Sequence, residues 1–202
     1  MKFTVCAALA WLLYSGPLHA QDTPGLSAYI GSMHLNAWAG TDRGTGNGPL
    51  AGLVWTLPLG RRQSVRAWGD FSEVRTQHSF TAQMPPAGDG GSGFSMVDER
   101  TTSQQVSLGF DYKIKFLDRI RTPYFFVGAT ATHQHYRSRI SSGATHLESS
   151  DTTLHSGRSL GFGIQIGDLW DLEIRHRWME RSWTPFPDSY YSLTLGYKFP
   201  SR

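Results

Sequence analysis

Cysteine is almost missing from this chain. The 202 residues hold one, Cys6, and it falls within the first twenty. A mature protein without that segment has no thiol, which excludes disulfide frameworks and cysteine-ligated metals. Long apolar runs are missing as well. After residue 20 nothing approaches the ~18 consecutive apolar residues that a membrane-spanning helix needs. Strong charge of one sign is also lacking, with 19 Lys and Arg against 16 Asp and Glu. So mild a balance argues against a nucleic-acid partner.

The first twenty residues read as an export signal. Lys2 gives the positive start, Phe3 to Tyr14 the apolar core, and Pro17-Leu18-His19-Ala20 the cleavage region. Two segments are therefore expected: a signal peptide over 1–20 and one domain over 21–202.

Alternation is what the domain has in abundance. Val106, Leu108, Phe110, Tyr112, Ile114 and Phe116 are every second residue of one stretch, against Ser107, Gly109, Asp111, Lys113 and Lys115. The beat returns in Leu160, Phe162, Ile164 and Ile166, and again in Tyr191, Leu193, Leu195, Tyr197 and Phe199. A period of two marks strands with one apolar and one polar face. Eight segments follow, near 26–39, 50–59, 64–82, 102–116, 123–139, 154–167, 172–181 and 190–199. The links between them alternate in length. Gly40 to Gly48, Gln83 to Glu99, Ile140 to Thr153 and the Pro185/Pro187 segment are long; the three others are short turns. The expected fold is all-β: an eight-stranded antiparallel up-and-down transmembrane β-barrel of a bacterial outer membrane, with both termini at the periplasmic, short-turn end.

A soluble barrel of lipocalin type also has eight strands, with its apolar face inside. The sixth segment separates the two. Its polar face is His155, Gly157, Ser159, Gly161, Gly163, Gln165 and Gly167, small and uncharged where a water-facing wall would carry Lys and Glu. Small residues suit the narrow interior of an eight-stranded barrel. Arg66, Asp70, Asp111, Lys113, Glu173 and Arg175 share polar faces and include both signs, so a lumen charge network is expected there, with Lys115 and Lys198 beside it. A narrow ion path gated by that network is the functional alternative to structural filling.

The strand count, the loop asymmetry and the terminal Leu193-Thr194-Leu195-Gly196-Tyr197-Lys198-Phe199 resemble the small outer-membrane barrels of the outer-membrane protein X, opacity-protein and outer-membrane protein A transmembrane groups. The resemblance spans the mature chain by architecture. It implies the barrel assembly machinery as a partner in biogenesis, reading the last strand. Here Pro200-Ser201-Arg202 follow the aromatic Phe199. Outer-membrane lipids and lipopolysaccharide are the expected surroundings, and the 83–99 loop is the candidate contact for a surface partner.

Some barrels of this size are lipid-A-modifying hydrolases. The deacylase family carries a His and a Ser two apart on its seventh strand. Here Ile174-Arg175-His176-Arg177-Trp178 stands in that place, with Trp178 at the serine position. His176 is the one catalytic candidate, and a hydroxyl nucleophile would still need a base within ~3 Å. His133 and His135, two apart on one strand face, are the metal candidates, with His78, His146 and His155 placed to gather near them. No cofactor is implied. The expected role is non-enzymatic, structural or surface-interacting through the loops, with the hydrolase and the narrow channel as alternatives.

Overall fold

The computed structural model describes residues 24–36, 45–83, 94–117, 121–142, 145–179 and 189–200. The export segment, residues 37–39 of the first expected strand, most of the 83–99 link and the Pro185/Pro187 segment lie outside the described residues. Eight strands form one closed antiparallel ring: β1 (Gly25–Asn36), β2 (Thr45–Pro58), β3 (Gln63–Gln83), β4 (Phe94–Lys115), β5 (Arg121–Ser142), β6 (Thr145–Ile166), β7 (Trp170–Met179) and β8 (Ser189–Lys198). Each pairs with its sequence neighbours, and β8 closes on β1 from Ser27↔Lys198 to Asn36↔Ser189. Closure leaves no open edge around the barrel wall, the condition for crossing a bilayer with strands.

The register fixes the tilt. Crossing the ring from Gly25 leads through Thr56, Arg66, Asp111, Gly128, Ser159, Arg177 and Tyr190. The path re-enters β1 at Leu35, ten residues on from Gly25. A stagger of this size goes with strands tilted by roughly 35–45°. A ten-residue strand such as β7 then spans about 25 Å of bilayer, the height of an outer-membrane apolar band.

The alternation resolves into outside and inside. Phe110 (66% exposed), Ile114, Phe162, Ile164, Leu193 (51%) and Leu195 all stand on the outer surface. Their neighbours Asp111, Lys113, Gly161, Gly163, Ser192 and Thr194 are buried inside. Trp55, Phe125, Trp178, Tyr197 and Phe199 also point outward. Tyr124 stands near a strand end, where an aromatic ring is expected at the membrane interface, but it points inward and is fully buried. Its parity is that of Phe126 and Thr122, and an inward aromatic needs room across the ladder. Gly163 and Gly161 supply it, because a Cβ at either would collide with the Tyr124 or the Phe126 ring.

Four strands outgrow the barrel. β3 to β6 run for 21 or 22 residues, against 10 for β7 and β8. The excess continues the ring into a free four-stranded sheet, about 35 Å of strand at 3.3 Å per residue. This corrects the expected 140–153 loop. β5 runs to Ser142 and β6 starts at Thr145, paired from Ser142↔Thr145 downward. Along β6 both faces are exposed from His146 to Thr152, so no period of two marks that stretch. Phe94 to Glu99, assigned from sequence to the 83–99 link, likewise belong to β4. Beyond Gly157↔Met179 no described residue of β7 pairs with β6, so residues 145–156 have a described partner strand, β5, on one side.

Candidate functional sites in the lumen and on the free sheet

Three guanidiniums and three carboxylates meet at mid-barrel, carried by β3, β4 and β7. Arg66 donates Nη1 to Glu173 Oε2 at 2.6 Å and Nη2 to Asp111 Oδ2 at 2.9 Å. Arg175 donates Nη2 to the same Asp111 oxygen at 2.8 Å and to Glu173 Oε1 at 2.9 Å. Ser159 completes Asp111 by donating to Oδ1 at 3.0 Å. One layer up, Arg177 forms a two-nitrogen pair with Asp70, which also accepts from the Tyr29 hydroxyl at 3.0 Å. Arg177 is among the largest fully buried side chains. It shares the parity of Glu173 and Arg175, which already places it among the polar-face charges in the sequence.

Aromatic rings fill the gaps. Trp68 lies between Arg175 and Arg177, their guanidinium carbons 4.3 and 4.5 Å from its ring centre. Arg66 covers Phe126 at 4.4 Å. Lys113 sits lower, its Nζ 3.5 Å from the Tyr124 ring centre and 3.5 Å from Asp171. Lys115 and Lys198 line a vestibule at the short-turn mouth with Arg61 and Arg62. Above the ion pairs, Met33, Leu35, Leu50, Val74, Met179 and Tyr190 close the other end. The lumen therefore joins paired charge, stacked rings and an apolar cap. Its three guanidiniums and three carboxylates balance, as buried ions must.

The remaining candidates separate. His176 faces outward, stacked on Tyr191 at 4.1 Å and against Trp178 at 3.9 Å. Its Nε2 is buried with no hydrogen-bond partner. Two aromatic rings occupy the flanks where a nucleophile and an orienting carboxylate would have to stand. His133 and His135 face outward on β5, His135 bonded to Thr152 Oγ1 at 2.9 Å. His155 points inward, so the histidines are split between two faces. Among the described residues no group of three His, Cys, Asp or Glu could hold a metal.

The free sheet shows a second concentration of charge, which sequence reading missed: Asp98 and Glu148 fell in segments taken for loops, and the pairing that groups them with Glu73, Arg75, Arg100, Arg137 and Arg139 is not visible in the sequence. Arg75, Arg100, Arg137 and Arg139 point to its outer face, as do Glu73, Asp98 and Glu148. Arg100 and Arg139 are directly opposite across the β4–β5 ladder, a like-charge placement that destabilises a sheet. Glu148 reaches Arg137 and Arg139 only at 3.6 Å. Glu73 is engaged at the base of the sheet, accepting from Gln104 at 3.0 Å and Arg75 at 2.6 Å. Those two partners hold its carboxyl below the usual range.

A closed ring with an apolar outside, a charged inside and antiparallel neighbours throughout is a β-barrel of the bacterial outer-membrane kind. Solved structures of small eight-stranded outer-membrane barrels share its fold. Ail of Yersinia pestis, solved with the heparin analogue sucrose octasulfate, superposes with a TM-score of 0.51 at 16% identity, over 88% of this chain and 100% of its own. Neisserial surface protein A gives a TM-score of 0.49 at 15% identity, over 86% and 95%. The outer-membrane enzyme PagL gives 0.45 at 14%, over 88% and 99%. At such identities the likeness establishes the fold alone. No protein-family model matches the chain, and no curated protein does.

Proposed function

We propose that this is a non-enzymatic outer-membrane barrel with its termini in the periplasm, which presents the β3–β6 sheet outside the cell as a docking surface for polyanions. The observation that carries this reading is the arginine pair Arg100 and Arg139, facing each other across one ladder. Nothing about the barrel needs that costly pair, and a sulfated or phosphorylated ligand would relieve it. Arg75 and Arg137 extend the same face. Ail, which shares the fold, was solved with a sulfated sugar, and this supports the choice of a sulfated glycan as the probe.

The test is heparin binding by the refolded barrel. Affinity should fall steeply with salt, and a double charge reversal, Arg100→Glu with Arg139→Glu, should abolish it. The same reversal must leave the folded gel mobility unchanged, since it lies above the membrane. Binding that survives the reversal would remove the free sheet as the docking surface.

A further inference from the structure

Arg158 is a cation on the lipid-facing wall. β6 alternates, and Arg158 shares the outward parity of Leu154, Leu160, Phe162 and Ile164, all exposed on the outer surface. Its ladder partners are Ala129 on β5 and Trp178 on β7. The next rung, Gly157↔Met179, is the last described one between β6 and β7, so Arg158 stands one rung from the end of the described wall. Within two residues along β6, and at the paired and adjacent outward positions of β5 and β7 that the structure describes, stand Ser156, Leu160, Val127, Ala129, Ala131, His176 and Trp178. None of these is acidic; Glu180, two residues past Trp178, lies outside the described residues. No hydrogen bond or ion pair engages Arg158 among the described residues.

Such a side chain is costly in hydrocarbon unless its head finds water or an anion. The wall beside it is shaped to receive one. A groove of about 620 Å³ opens on the outer surface there, lined by Val127, Gly157, Arg158, Leu160 and Trp178 among others. It combines an apolar floor, an aromatic flank and one guanidinium that has no partner among the described residues. That is the chemistry of an acyl chain ending in a phosphate.

We propose that this groove seats a phosphorylated glycolipid of lipid A type from the leaflet on the free-sheet side, with an acyl chain along Val127 and Leu160 and a phosphate on Arg158. Guanidinium and phosphate match in charge and in forked geometry. The wide apolar bed favours a lipid with several saturated chains over a free phosphate. The leaflet, though not the contact, rests on the orientation given under the proposed function.

The whole barrel, refolded in a zwitterionic detergent, is titrated with purified lipid A and followed by native mass spectrometry. Parallel titrations use dephosphorylated lipid A, phosphatidylglycerol and inorganic phosphate. Lipid A should bind at defined stoichiometry. Arg158→Gln should weaken it about tenfold or more, as loss of a charge-assisted contact implies. Arg158→Lys should keep part of the affinity. Leu160→Trp, which narrows the groove, should weaken lipid A while Arg158 is intact. Heat-modifiable gel mobility checks that each variant is folded. Equal binding by Arg158→Gln, or phosphatidylglycerol binding as tightly as lipid A, overturns the proposal. Micelles have no sidedness, so a wrong orientation leaves these results intact. It shows instead as failure of an Arg75→Cys barrel to react with impermeant maleimide on whole cells.

Discussion

Removing the carboxylate of Asp111 should unseat the middle of the barrel. That group accepts from Arg66 at 2.9 Å, Arg175 at 2.8 Å and Ser159 at 3.0 Å, and its side chain has no solvent exposure. Arg66 and Arg175 would then share Glu173 as their one carboxylate. The layer, balanced at three guanidiniums and three carboxylates, would carry one excess positive charge in a space without bulk water. Breaking a buried ion pair from one side costs about 3–5 kcal/mol. Asp111→Ala should therefore shift the unfolding equilibrium by two to three decades or more. Urea titration of the refolded barrel in lipid vesicles, followed by tryptophan emission and gel mobility, measures it. A second variant tests the cause. Arg66→Met with Asp111→Leu removes one charge of each sign and leaves Arg175 with Glu173 and Arg177 with Asp70. It should cost less than Asp111→Ala alone, a departure from additivity of ~1 kcal/mol or more. A cost below about 1 kcal/mol for Asp111→Ala, or strict additivity in the pair, would mean that water screens the lumen and that the ion-pair argument fails.

Leu195→Arg, on the outer wall of β8 opposite Ile30 and Leu172, should destabilise the barrel by about 2–4 kcal/mol at mid-membrane, read by the same titration; an unchanged midpoint would place that face against water. Gly161→Val should cost about 1–3 kcal/mol by overpacking, because its Cβ meets the Phe126 ring; adding Phe126→Ala should recover part of the loss, and no recovery would mean the strain lies elsewhere. The pure barrel should release no fatty acid from lipid A or phospholipid in a mass-spectrometric assay, since aromatic rings flank His176 on both sides; release abolished by His176→Ala would make it a hydrolase.

The parts of this structure that could be read from sequence are those where two solvents meet. β4 and β8 have lipid on one face and a crowded lumen on the other, so Val106 to Phe116 and Tyr191 to Phe199 alternate cleanly. The extension of β6 is exposed on both faces from His146 to Thr152. Ile140 to Thr153 therefore carries no clear period of two and looks like a loop, although 22 residues of β6 form one strand. The lumen charges were legible by parity for Arg66, Asp70, Asp111, Lys113, Glu173 and Arg175. Their pairing was not, because it depends on which strands the ring brings face to face: Arg66 meets Glu173 across 107 residues of chain. Tyr124 misled for a related reason. An aromatic near a strand end suggests an interface, and only the facing Gly163 on β6 shows that the ring turns inward.

The unpaired flank of β6 has a consequence for neighbours in a crowded membrane. From 145 to 156 every second set of backbone donors and acceptors faces away from β5, with no described residue of β7 beside it. A flank of that kind invites a second molecule to zip on and start a chain of sheets. The sequence along it is Leu147-Glu148-Ser149-Ser150-Asp151-Thr152-Thr153, poor in large apolar groups and interrupted by two carboxylates. Two such flanks approaching one another bring like charges together and gain little buried surface. The polarity that hid this strand from sequence reading thus also makes this flank a poor template for a second copy.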